Sequence, residues 1–184
     1  MKTIQKGLLV FFAILVVVSC TKKETTPPTA GETNGTLLAG AKGASKSWSL
    51  TSATVSVNGG SAQAISNIPV CESDNVFVFS NNSTQDYSET EGATLCQSTD
   101  PQTIEKGSWA FTSDGTSLLI DATYYPDSAQ FQAENDLPLF ILSQGEPLTV
   151  AQITDSSFTI TYSYQDTSTS PATKYSFTVI FTKK

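Results

Sequence analysis

The chain has 184 residues and a net charge of −7, and every one of its ten basic residues is lysine. Without arginine or a clustered basic face it is not expected to hold nucleic acid. Without histidine it cannot build a Ser-His-Asp or Cys-His nucleophile system or a His-containing zinc site, so no metal, no cofactor and no enzymatic activity are expected.

The first element is a leader. Lys2 and Lys6 precede an apolar run from Gly7 to Val18, and the small Ser19 stands before Cys20. This is the pattern of a secretory signal, too short and too abruptly followed by Thr21-Lys22-Lys23-Glu24 to be a stable membrane span. Val17-Val18-Ser19-Cys20 resembles the lipobox of bacterial lipoproteins, which implies cleavage after residue 19 and acylation of Cys20. Two or more acyl chains would anchor the mature protein stably, making the membrane its first expected partner. Loss of 19 residues leaves 165, enough for one domain, and loss of Lys2 and Lys6 takes the net charge from −7 to −9.

Residues 20–45 are rich in Thr, Gly, Pro, Ala and Lys, and are read as the lipidated cysteine and a flexible tether. Residues 46–184 then alternate short apolar stretches with turn residues. Strands are expected at Lys46 to Val57, Asn75 to Ser80, Gln85 to Glu89, Gly107 to Ser113, Ser117 to Ala122, Pro138 to Ser143 and Leu148 to Thr154. Two more are expected around Phe158 to Gln165 and Tyr175 to Phe181. The apolar parity of the first strand shifts between Leu50 and Ala53, which predicts a bulge. Asp114-Gly115 and Gly145-Glu146-Pro147 read as reversals, and Asn58 to Asn67 as a polar loop. Only Asp127 to Asn135 offers about a turn of helix.

Eight or nine sequential strands predict an all-β fold, an antiparallel up-and-down barrel of about eight strands with at most a short helix. Cys71 and Cys96 are left as a pair once Cys20 is assigned. They read either as one disulfide of an oxidising compartment or as two separate buried thiols. The acidic residues stand mostly in turn-like contexts, so a carboxylate-pair glycosidase is the weaker reading.

Several of these segments together resemble the lipocalin-like domains of Bacteroidota lipoproteins. They are Lys46-Ser47-Trp48-Ser49-Leu50, Cys71 followed by Asp74 to Phe79, Cys96, and Gly107-Ser108-Trp109-Ala110-Phe111 leading into Leu118-Leu119-Ile120. Phe140 to Ser143 and Leu148 to Val150 look like closing strands. The resemblance covers about Ala44 to Thr182 and implies the barrel and the disulfide. It departs at Lys46, where a glycine usually stands, and in lacking the arginine that often packs over the first tryptophan. Lys174 or Lys184 is the expected replacement over Trp48.

The function expected from the sequence is non-catalytic binding of a small apolar or amphipathic ligand by a monomer held at the outer membrane, on its periplasmic face or at the cell surface. Candidate lining residues are Phe77, Phe79, Phe111, Tyr124, Phe158, Tyr162 and Phe177, with Phe181 in the same inward set. The alternative is a surface interaction or glycan-binding protein that uses a filled barrel as a scaffold. Asp127-Ser128-Ala129 resembles an O-glycosylation acceptor of Bacteroidota, which makes Ser128 a candidate modification site.

Overall fold

A computed structural model describes residues 26–99, 101–124, 147–168 and 170–184. The leader, Cys20, Ser128, the turn of helix expected within 127–135 and the strand expected at 138–143 lie outside the described residues. So does most of the reversal expected at 145–147.

The elements in chain order are helix α1 (Ala30–Ala39), strands β1 (Ser45–Val57) and β2 (Gln63–Ala64), and helix α2 (Val70–Ser73). The strands β3 (Val76–Ser80), β4 (Asp86–Thr90), β5 (Thr103–Phe111), β6 (Ser117–Tyr124), β7 (Leu148–Ile153), β8 (Ser157–Asp166) and β9 (Thr173–Lys183) follow. Strand β1 pairs antiparallel with β3, each strand from β3 to β8 pairs antiparallel with the next, and β9 returns to β1, so β1 and β3 to β9 close an eight-stranded barrel. The architecture is the all-β barrel predicted, and it is compatible with a lipocalin-like fold. The short β2, inside the expected polar loop, adds to the end of β1 through Thr54↔Ala64 and Val55↔Gln63.

Alternation carries the barrel. Along β8 and β9, Phe158, Ile160, Phe177, Val179 and Phe181 turn inward and are buried, while the residues between them face outward and are more exposed. The predicted bulge is present, with the β1–β9 register shifting between Leu50 and Ser52. It lets Trp48 and Ala53, which have opposite parity in sequence, both point into the core. At the β5–β6 reversal Gly115 takes φ 71°, and Asp114 Oδ1 accepts from Thr112 Oγ1 at 2.6 Å and from the Thr116 amide at 3.1 Å.

The expected tether is corrected between residues 30 and 39, which form α1. Thr29 and Glu32 make a reciprocal capping box, Glu32 N donating to Thr29 Oγ1 at 3.1 Å and Thr29 N to Glu32 Oε2 at 2.7 Å. The helix reaches β1, β3, β5 and β7 and so closes one end of the barrel. Leu38 and Ala39 are fully buried there. Gly31 and Gly35 permit the approach: a Cβ on Gly31 would strike the Thr112 carbonyl, and one on Gly35 would lie 3.3 Å from Trp109 Cη2. The last turn is tied down by Lys46 Nζ, 2.7 Å from the Leu37 carbonyl, and by Trp48 Nε1, 2.9 Å from that of Leu38.

Cation placement over Trp48 is also corrected. Neither Lys174 nor Lys184 fills that role; Lys46 Nζ lies 6.0 Å from the ring centroid while pairing with Asp155 at 2.7 Å.

Candidate functional site

The interior changes character from one end to the other. Nearest α1 it is packed with rings: Trp48 meets Phe158 edge-on at 5.0 Å, Phe158 stacks on Phe181 at 4.5 Å, and Phe77 meets Phe181 at 5.1 Å. Phe79 lies 6.1 Å from both Trp109 and Phe158. Of the candidate lining residues, Phe77, Phe79 and Phe158 therefore belong to a filled core, and Phe111 packs on its edge 6.0 Å from Trp109.

Further from α1 the wall of β4 and β5 becomes acidic. Glu89 and Glu105 face one another across the two strands and are 2% and 1% exposed. Tyr87 precedes them on the same face, and Glu91 follows, also buried. Glu105 keeps the inward parity of Gly107 and Trp109 along β5, and just beyond it the register shifts, Glu89 pairing with Glu105 but Thr90 with Thr103, which leaves Ile104 as the extra residue of a bulge. Asn75, just before β3 and 2% exposed, donates its amide to Glu89 Oε1 at 3.0 Å, while its Oδ1 has no partner. Beside Glu105 the wall is low, because Gly107 pairs with Ala122.

Burial raises Glu89 well above the usual carboxylate range, and the neighbouring Glu105 charge adds to it more strongly than the Asn75 amide counteracts it. Tyr87 is raised by its burial and then by both acids. The expectation that acids belong to turns is thus corrected at Glu89, Glu91 and Glu105. The signal was present in Tyr87-Ser88-Glu89, where Glu89 shares the inward parity of a buried ring.

Half the barrel away, Tyr162 and Phe177 pair across β8 and β9 and stack at 5.0 Å, and the ladder continues through Tyr175 to Tyr164. Tyr124, at the end of β6, is placed opposite Glu105 by register. Exposed large apolar side chains gather at this end: Val57 closes β1, Val70 opens α2, Leu95 adjoins Cys96, and Tyr164 is near the end of β8. Cys71 and Cys96 form the disulfide, Cα to Cα 5.0 Å, and fasten α2 to the loop after β4. Asp74 adds to that fastening, its Oδ2 accepting from the amides of Ala93 at 2.9 Å and Thr94 at 3.0 Å.

No protein-family model and no curated protein matches this chain. The reading therefore rests on the site itself.

A concavity of 770 Å³ lies outside the barrel between α1 and β5. Thr29, Glu32, Thr33, Asn81, Gln85 and Phe111 are among its lining residues, and no basic side chain contributes. Among the described residues no group of three Asp, Glu, Cys or His side chains has the arrangement to hold a metal ion.

The buried acid predicts an unusual pH response. Below about pH 4.5 Glu89 is protonated in both folded and unfolded chains; as pH rises past that value the unfolded chain ionises first, so stability falls until the folded group also ionises. Glu89→Gln is therefore expected to melt above the parent at pH 7, by about 2–4 °C for each kcal/mol of difference. Below pH 4.5 the two should coincide. Thermal melts from pH 4 to 8 check this, and a variant that is less stable throughout would contradict it.

Proposed function

We propose that this is an exported lipoprotein of the Bacteroidota lipocalin-like kind, anchored through Cys20 at the outer membrane, that binds a small amphipathic ligand without catalysis. The ligand enters the barrel at the end remote from α1. One observation carries the reading: the interior is divided into a ring-packed half and a half where buried polar groups stand across from an aromatic wall, beneath a rim with exposed apolar side chains. An apolar body with a few placed polar contacts is the usual composition of a ligand site, and exposed apolar residues gathered at one place mark interaction surfaces.

Dodecanol serves as a simple amphipathic probe. The purified protein is expected to form a one-to-one complex by native mass spectrometry and to melt at a higher temperature with it. Ala122→Phe, which fills the low part of the wall, should abolish that gain. The opposite result is a gain unaffected by Ala122→Phe but lost in Thr33→Trp, which obstructs the outer groove.

That outcome would favour the second reading, for which the groove is the specific observation. A concavity of 770 Å³ lined by hydroxyl and amide groups without a cation suits a neutral polar ligand such as a saccharide. The barrel would then be a scaffold.

A further inference from the structure

We propose that the groove between α1 and β5 receives the neutral saccharide head of a glycolipid in the membrane that holds Cys20. This rests on the proposed acylation of Cys20 and on the fit of the groove to a saccharide, and it gives that saccharide a source whatever the barrel interior holds.

The space is open to a ligand. Its volume of 770 Å³ lies within the range of small-molecule sites, and Thr29, Glu32, Thr33 and Ser113 on its walls are exposed, with Phe111 half-buried.

Charge decides the class of head. No lysine lines the groove, and Glu32 is the one acid among its lining residues. A helix N-terminus attracts phosphate when its amides are free, but those of the first turn of α1 are taken. The amides of Gly31, Glu32 and Thr33 donate to the Ser113 carbonyl, Thr29 Oγ1 and the Thr29 carbonyl. An anionic head therefore finds neither cation nor free amide, and it meets a carboxylate.

The groups that remain suit hydroxyls. Glu32 uses only Oε2 in the cap, which leaves Oε1 to accept, and Asn81 donates its Nδ2 to the Gly40 carbonyl at 2.8 Å, which leaves its Oδ1. The Thr33 and Thr36 hydroxyls donate to the carbonyls of Thr29 and Glu32 at 3.0 Å, so their oxygens also accept. Sugar hydroxyls supply the matching donors. The C–H face of a pyranose packs on an aromatic ring, and Phe111, edge-on to Trp109 at 6.0 Å, stands on the wall to receive it.

The length of chain leading to the groove indicates the source. Thr26 lies on its wall and is the sixth residue after Cys20. Six residues reach about 20 Å when extended and about 13 Å on average as a flexible chain. An acylated Cys20 thus holds the groove over the lipid heads, where effective concentration is high enough for a weak sugar site. A dissolved saccharide lacks that advantage.

The test uses acylated full-length protein in phosphatidylcholine vesicles, with and without digalactosyldiacylglycerol, and follows hydrogen exchange of the α1 amides. The galactolipid is expected to slow that exchange at least about threefold. Thr33→Trp, which obstructs the groove, should remove the gain, and so should Glu32→Gln, in which glutamine keeps the capping box but not the charged acceptor. Phosphatidylglycerol and phosphatidylethanolamine at the same fraction should leave exchange unchanged.

Equal protection by either phospholipid would overturn the saccharide assignment, and protection that persists in both variants would overturn the groove. Mass spectrometry of the Cys20 peptide from bacterial membranes reads the anchor separately. If Cys20 is unmodified, the anchoring fails and the lipid source fails with it. If Cys20 is acylated and the galactolipid gives no protection, this inference alone is overturned.

Discussion

Replacing Leu38 by alanine lowers the unfolding free energy by about 2–5 kcal/mol, the range for removing a fully buried leucine side chain. Leu38 has no exposed surface, and it sits at the junction of the helix with Trp48, whose indole donates to its carbonyl. The loss comprises transferred apolar surface and the cavity left between α1 and the ring-packed end of the barrel. Urea titration gives the difference, with the slope unchanged because the folded and unfolded states expose nearly the same surface in both proteins. The control is Thr33→Ala on the exposed face of α1, for which a change within about 0.5 kcal/mol is expected. A free tether would make both substitutions neutral.

Removing the disulfide is the second large effect. The link joins residues 25 apart in sequence, and replacing both cysteines by serine is expected to cost about 3–4 kcal/mol through the loop entropy returned to the unfolded chain. The loss should have a local signature as well. Asp74 and the disulfide together hold the segment after β4, so the amides of Ala93 and Thr94, both bonded to Asp74 Oδ2, should lose hydrogen-exchange protection before those of β8 and β9. Uniform loss across the barrel would show instead that the link acts only on the unfolded chain.

The strands were legible because each buries one face, so that period-two alternation survives in residues such as Phe158, Ile160, Phe177, Val179 and Phe181. Even the bulge of β1 could be read, since the parity of Leu50 and Ala53 breaks where the register shifts. Helix α1 was not legible from composition. Gly31, Gly35, Thr33 and Thr36 are poor helix formers, and the segment gains its stability from close docking, which only glycine allows at Gly31. The capping box Thr29 to Glu32 was the available sign.

The acidic wall was missed for a different reason. A charged side chain on a short strand reads as solvated, even though Glu105 shares the inward parity of Trp109 in β5 as Glu89 shares that of Tyr87 in β4. Phe77, Phe79, Phe158, Phe177 and Phe181 are buried in the barrel, but sequence spacing does not say which rings pack together. Phe77, Phe79 and Phe158 complete the filled half, whereas Tyr162 and Phe177 stand with the other. Lys46 illustrates the same limit: its departure from the family pattern was visible, and its compensation, a single lysine serving the Trp48 ring, the end of α1 and Asp155, requires the packed structure.

The central claim is that a ligand binds inside the barrel at the end opposite α1. Nuclear Overhauser contacts between protein and bound dodecanol test it directly. The account predicts contacts from the ligand to the Tyr162 and Phe177 rings and to the Ala122 methyl group. Contacts confined to Thr33 and Phe111, or none in a complex formed elsewhere on the surface, would contradict it.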